Sequence, residues 1–137
     1  MGSIRDFEEI IAWQRAIELA GKLHDKFKDH RDFAFRDQML RASISVSNNI
    51  AEGFDRGSNK EFIRFLRIAS SSCNEVRSML FLGRRFGYFT AEEVDLMRAE
   101  CMKVNGIIVA LIKSMRHGYT MSFLSWLLPL ALSIGHT

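Results

Sequence analysis

Residues 42–51, Ala-Ser-Ile-Ser-Val-Ser-Asn-Asn-Ile-Ala, run for ten positions without a charge in a chain of which 26% is charged. A helix facing water carries charged side chains on its outer face. Here small hydroxyls and amides stand opposite the apolar residues, between Arg41 on one flank and Glu52-Gly53 on the other. Polar groups taken out of water need hydrogen-bond partners. The stretch is therefore expected to be a central helix, covered on most sides and bonded within the protein or an assembly.

The surrounding chain reads as long helices, and its single proline, Pro129, lies outside all of them. From Phe7 to Phe27, Ile10, Trp13, Ile17, Ala20 and Phe27 recur at helical spacing, widened by Ile11 and Leu23. Lys28 to Asp32 is polar and reads as a connection. A second helix is expected from near Phe35 to about Phe54. Met39, Val46 and Ile50 form one apolar line on it; Leu40, Ile44, Ala51 and Phe54 form another, which predicts contacts on two sides. Gly53 and Gly57 fall near its end, where a left-handed cap is often needed. Arg41, Ser45, Asn48, Glu52 and Arg56, spaced four, three, four and four apart, make a continuous polar stripe.

The third helix opens on a capping box, Ser58 with Glu61. Its apolar set, Phe62, Phe65, Leu66, Ala69, Cys73, Val76, Leu80 and Gly83, keeps one face up to Phe86, and Gly87 closes it. A second box, Thr90 with Glu93, opens the fourth helix, where Val94, Met97, Cys101, Val104, Ile108, Leu111 and Met115 alternate steps of three and four. Short connections between long helices predict an all-α, antiparallel up-down-up-down four-helix bundle over residues 1–116. Residues 117–137 differ in kind: they hold no Asp, Glu, Lys or Arg, and Phe123 to Leu132 is strongly apolar. That run falls short of the roughly 20 residues a bilayer span needs, so no membrane role is expected for this tail.

Chemistry is hard to find. There is no glycine-rich phosphate loop and no nucleophile elbow. His24, His30, His117 and His136 lack the spacing of metal ligands, and no histidine follows a glutamate by three residues as a di-iron bundle requires. No cofactor is expected. Cys73 and Cys101 sit at core positions about a turn out of level, so they read as small buried hydrophobes without a disulfide. Two cysteines make no disulfide framework, which points to a reducing cytoplasm. Glu52 and Glu75 sit on or beside the apolar faces of their helices. They are expected to join an ion-pair or amide network with Arg41, Arg56 or Asn49 rather than to act as an acid–base pair.

Charge gives the clearest surface signal. The chain is only mildly basic, +3 with a pI of about 9.1. Yet between Arg56 and Phe89 seven cations, Arg56, Lys60, Arg64, Arg67, Arg77, Arg84 and Arg85, face two acids, a net +5. Lys60, Arg64 and Arg67 share one helix face, continued by Ser71 and Asn74. Such a stripe suits the neutralisation of phosphates in a nucleic acid, although a solvated bundle face can carry the same pattern.

Several of these residues also carry a resemblance. Phe7, Trp13-Gln14, Ala16, Gln38, Arg41-Ala42, Ser45, Asn48-Asn49-Ile50-Ala51-Glu52-Gly53 and Arg56, followed by Phe62, Arg64-Phe65-Leu66, Ile68-Ala69, Ser72 and Glu75, form a specific combination. Over about residues 5–116 the chain resembles the four-helix-bundle family of 23S rRNA intervening-sequence proteins, which also takes in the accessory protein of diversity-generating retroelements. It departs at Lys28, near a usual proline, and at Ser71, where a glycine usually precedes Ser72 and allows close packing. The resemblance implies a cytoplasmic bacterial homopentamer without established enzymatic activity. For the retroelement branch it implies binding to nucleic acid and to a reverse transcriptase.

The sequence thus leads to a non-enzymatic oligomeric scaffold. It would bind structured RNA, or another RNA- or DNA-bound partner, through the basic third helix. Arg41, Ser45, Asn48, Asn49, Glu52, Ser72 and Glu75 are expected to form a structural polar network or a subunit contact. The alternative is a purely protein-binding oligomeric module.

Overall fold

The computed structural model describes residues 4–118. Nearly all of the expected apolar tail, from residue 119 onward, lies outside the described residues. The described chain is all-α, with four long helices: α1 (Ile11–Phe27), α2 (Phe33–Asp55), α3 (Asn59–Arg85) and α4 (Ala91–Arg116).

The first expected helix is divided. Phe7–Glu9 forms a separate 3-10 turn, and α1 begins only after Ile10. Ile10 is extended (φ −78°, ψ 118°) and fully buried, so driving its side chain into the core takes it out of helical geometry. The Glu9 carboxylate accepts from the amides of Arg5 and Asp6, at 2.6 and 3.1 Å, holding the turn. α2 starts two residues before the expected Phe35, because Asp32 caps it by accepting from the Phe35 amide at 3.1 Å.

The two glycines expected to end α2 do different work. Gly57 has φ +79° and provides the left-handed exit. Gly53 lies inside the helix and is buried: a Cβ there would stand 2.4 Å from Cβ of Phe65, so the missing side chain is what lets α2 and α3 meet. Ser58 caps α3 by accepting from the Glu61 amide at 3.2 Å, but the Glu61 carboxylate grips Arg64. Thr90 and Glu93 form the full reciprocal box at the start of α4.

The core runs the length of the molecule in two clusters. Around Ile10, Val46, Ile50, Leu66, Val104 and Ile108 it fills one end. Around Leu23, Phe27, Met39, Leu80, Phe89 and Cys101 it fills the other. A fully buried side chain of this size contributes about 1.5–3 kcal/mol, against about 0–1 for an exposed ion pair, so apolar packing holds the fold. α2 packs most extensively on α3, α3 on α4 and α1 on α2, with a lighter contact between α1 and α4. Among the described residues no helix is long and apolar enough to cross a membrane.

The uncharged stretch is central, but less enclosed than expected. Ala42, Ser43, Val46, Ser47 and Ile50 are buried, whereas Asn48 is exposed and Ile44 keeps 49% of its surface. Of the second apolar line, Leu40, Ala51 and Phe54 are only half-buried, so within one chain α2 is fully covered on one side. Its two buried polar residues are satisfied within the helix itself: Ser43 Oγ donates to the Leu40 carbonyl and Ser47 Oγ to that of Ile44, at 2.9 and 3.1 Å. Ser71 is exposed, so within one chain the departure at that position disturbs no close packing.

Candidate nucleic-acid interface

α3 has 27 residues and is about 40 Å long at 1.5 Å per residue, so its seven candidate cations, counting Arg56 just before it, cannot act as one patch. Lys60, Arg64 and Arg67 lie near its start and Arg84 and Arg85 at its end. Arg77, between them, is half-buried. Among the described residues its Nε is shielded from solvent without a hydrogen-bond partner, and its guanidinium reaches only Asn74 Oδ1, at 3.5 Å. Arg84 donates to the Phe89 carbonyl at 3.3 Å, which ties it to the α3–α4 turn.

The cations at the start of α3 border a groove of about 610 Å³ between that helix and the end of α4. Lys60, Ile63, Arg64 and Arg67 line it from α3, and Met115 and Arg116 from α4. Glu61, also in the lining, holds Arg64 through two guanidinium nitrogens at 3.0 and 3.1 Å, and the Arg64 guanidinium lies 4.5 Å from the Phe65 ring centre. Arg56 is engaged similarly, 3.3 Å from Glu52 and 5.2 Å from the same ring. Lys60, Arg67 and Arg116 are exposed and carry no ion pair among the described residues. Three unpaired cations thus surround a groove that also offers Ile63 and Met115. Sequence reasoning missed Arg116; the up-down order it predicted would have set the end of the fourth helix beside the start of the third.

The expected polar network forms in part, between α2 and α3. Asn49 Nδ2 donates to the Ser45 carbonyl and Oγ, at 2.8 and 2.9 Å, and the Ser45 and Ser72 hydroxyls lie 2.8 Å apart. Gln38 donates to Glu75. Arg41 and Asn48 stand exposed outside this network. Glu52 and Glu75 are exposed as well, which corrects their placement beside the apolar faces: each lies on the outer edge of its helix, and they bond different partners. A further link, Ser70 Oγ to Asn105 Oδ1 at 2.6 Å, joins α3 to α4.

Cys73 and Cys101 are buried and free. Burial pushes each thiol up to about 12, against a small opposing pull from the Arg77 guanidinium. Such thiols are inert rather than nucleophilic. Among the described residues no group of three His, Cys, Asp or Glu is placed to hold a metal.

Fold and site together define a four-helix all-α protein with a cationic groove at one end. The chain belongs to the 23S rRNA-intervening sequence protein family, whose pattern matches residues 8–110. Its fold is similar to the crystal structure of a protein of unknown function from the S23 ribosomal protein family of Bacteroides thetaiotaomicron. The two share 26% identity with a TM-score of 0.71, over 75% of this chain and 99% of that one. Among curated proteins none matches the chain.

Proposed function

We propose that this protein is a non-enzymatic scaffold that engages structured RNA, or a partner bound to nucleic acid such as a reverse transcriptase, through the basic surface that begins on α3. One observation carries the reading: Lys60, Arg67 and Arg116 gather around a single groove without acidic partners among the described residues, although Glu61 lies among them and neutralises Arg64. Cations left unpaired at close quarters repel one another, and a polyanion relieves that cost while releasing its own counterions. Binding to rRNA fragments across a salt series tests it. Affinity should fall steeply with salt; absence of binding at low salt, or binding indifferent to salt, overturns it.

The same reading takes the four helices to run alternately up and down, in keeping with connections confined to residues 28–32, 56–58 and 86–90. It also takes the assembly to be the homopentamer implied by the resemblance, in a reducing cytoplasm where Cys73 and Cys101 stay free. The half-open second line of α2, Ile44 above all, supports a contact there between copies. That line also favours a second reading, a purely protein-binding oligomeric module with α2 as the contact. Ile44→Glu should lower the oligomer mass in solution while Lys60→Ala leaves it intact. Equal masses for the two variants would count against α2 as the contact.

A further inference from the structure

The groove between α3 and α4 is cationic at its rim and apolar within, and the two properties select different parts of a nucleic acid. Lys60, Arg67 and Arg116 can neutralise phosphates of any polynucleotide. Ile63, half-buried, offers a surface with no hydrogen-bonding group, and Met115, almost wholly buried, backs it. A duplex gains nothing from such a surface, because its bases are stacked and paired within. An unpaired base has an exposed apolar face, and laying it against a hydrophobic wall removes both from water. The volume, about 610 Å³, falls within the range of sites that hold a small ligand, the scale of a nucleotide rather than of a duplex.

We propose that this groove seats an unpaired polynucleotide segment, such as a loop or a strand end. The phosphates lie between Lys60, Arg67 and Arg116, and a base lies against Ile63, which Met115 backs. This rests on the reading that the basic face binds nucleic acid, and it narrows that reading from structured RNA in general to its single-stranded parts. Arg64 has a lesser part: with its charge held by Glu61 and its plane against Phe65, it shapes the rim without adding a free cation.

The experiment compares a short oligouridylate with a blunt RNA duplex of equal length, each titrated with the full-length protein over a range of salt. The single strand should bind about tenfold more tightly, in line with the roughly 1–3 kcal/mol that base contacts add in single-strand binders. With three phosphates neutralised, log K should fall against log salt with a slope of about −2, and Arg116→Gln should flatten it by about 0.7. Ile63→Ser should weaken the single strand several-fold and leave the duplex unchanged; if that variant folds poorly, Arg116→Gln still tests the location. Lys22→Gln, on the exposed side of α1, should change neither ligand. Equal or tighter duplex binding that Ile63→Ser does not alter overturns this inference and leaves the basic-face reading standing. Preference for the single strand without any effect of Arg116→Gln overturns the groove as its seat. Failure of both ligands to bind at low salt overturns both readings.

Discussion

The two ends of the bundle are built from similar residues and finished in opposite ways. Where the α1–α2 and α3–α4 turns meet, the polar groups between the two turns are answered within the chain. Tyr88 Oη donates to Asp32 Oδ2 at 2.6 Å while the other carboxylate oxygen of Asp32 caps α2. Lys26 Nζ meets Glu93 Oε2 at 2.6 Å. The His30 ring lies 4.3 Å from that of Tyr88, and the Phe27 ring packs at an angle against Phe35 and edge-on against Phe89, at 5.5 and 5.2 Å. At the other end Lys60, Arg67 and Arg116 border a groove with no such answer. Polar groups matched between the two turns need nothing from outside; unpaired cations gathered around a groove retain capacity for a ligand. That difference, rather than the total of basic residues, separates structural charge from available charge.

If the closed end is a stabilising cap, breaking its interior should cost most. Phe27 is fully buried and central to the packed rings, so Phe27→Ala should lower stability by about 3–5 kcal/mol in urea denaturation. The open end should prove equally tight beneath its surface. Gly53→Ala places a methyl group 2.4 Å from Cβ of Phe65, where neither backbone can yield easily. A loss of about 1–3 kcal/mol is expected from the overpacking. No loss for Gly53→Ala would mean that α2 and α3 are loosely joined there, and the contrast would extend into the core.

Much of this was legible in the sequence because helices report themselves through periodicity. The four elements, both caps on α3 and α4 and most of the buried line on α2 follow from spacing alone. What failed was local competition. Ile10 fits the helical period, but its burial in extended form splits the first helix, and Gly53 looks like a cap by position although Phe65 dictates its identity. The site was half legible. Lys60, Arg64 and Arg67 share a face by spacing, yet spacing leaves open whether Glu61 closes the Ser58 cap or pairs with Arg64 three residues on, and it cannot show that Arg77 is half-buried or that Arg116 arrives from another helix. Asp32 and Tyr88, 56 residues apart, gave no signal before the turns were set side by side.

The closed end should also be sensitive to acid. The Tyr88 hydroxyl, followed by the Phe35 amide, holds the Asp32 carboxyl below its usual range, and the Lys26 ammonium does the same for Glu93. A carboxyl whose folded value is depressed stabilises the fold fully above its unfolded value, near 4, and loses that contribution as pH falls through the folded value. Tyr88→Phe should therefore lower the thermal midpoint modestly at neutral pH, less than Gly53→Ala does. The gap from the parent protein should close as pH drops below about 4. A gap that stays constant through this range would assign Tyr88 to packing alone and remove the polar closure from the comparison.

The smallest effect on stability is expected at the open end, and it carries the most information about function. Lys60→Ala and Arg67→Ala remove exposed side chains with no ion pair among the described residues, so each should move stability by no more than about 0.5 kcal/mol. Relief of mutual repulsion could even make the pair slightly stabilising, whereas the loss of a structural charge would not. Their cost should appear only with ligand present, as weaker RNA binding and a salt dependence flatter by about 0.7 per cation on a single strand. Arg84→Ala is the matched control, since that side chain already bonds the Phe89 carbonyl. It should disturb the fold more and the salt dependence less. The reverse pattern, with Arg84 governing binding and Lys60 governing stability, would exchange the roles of the two ends.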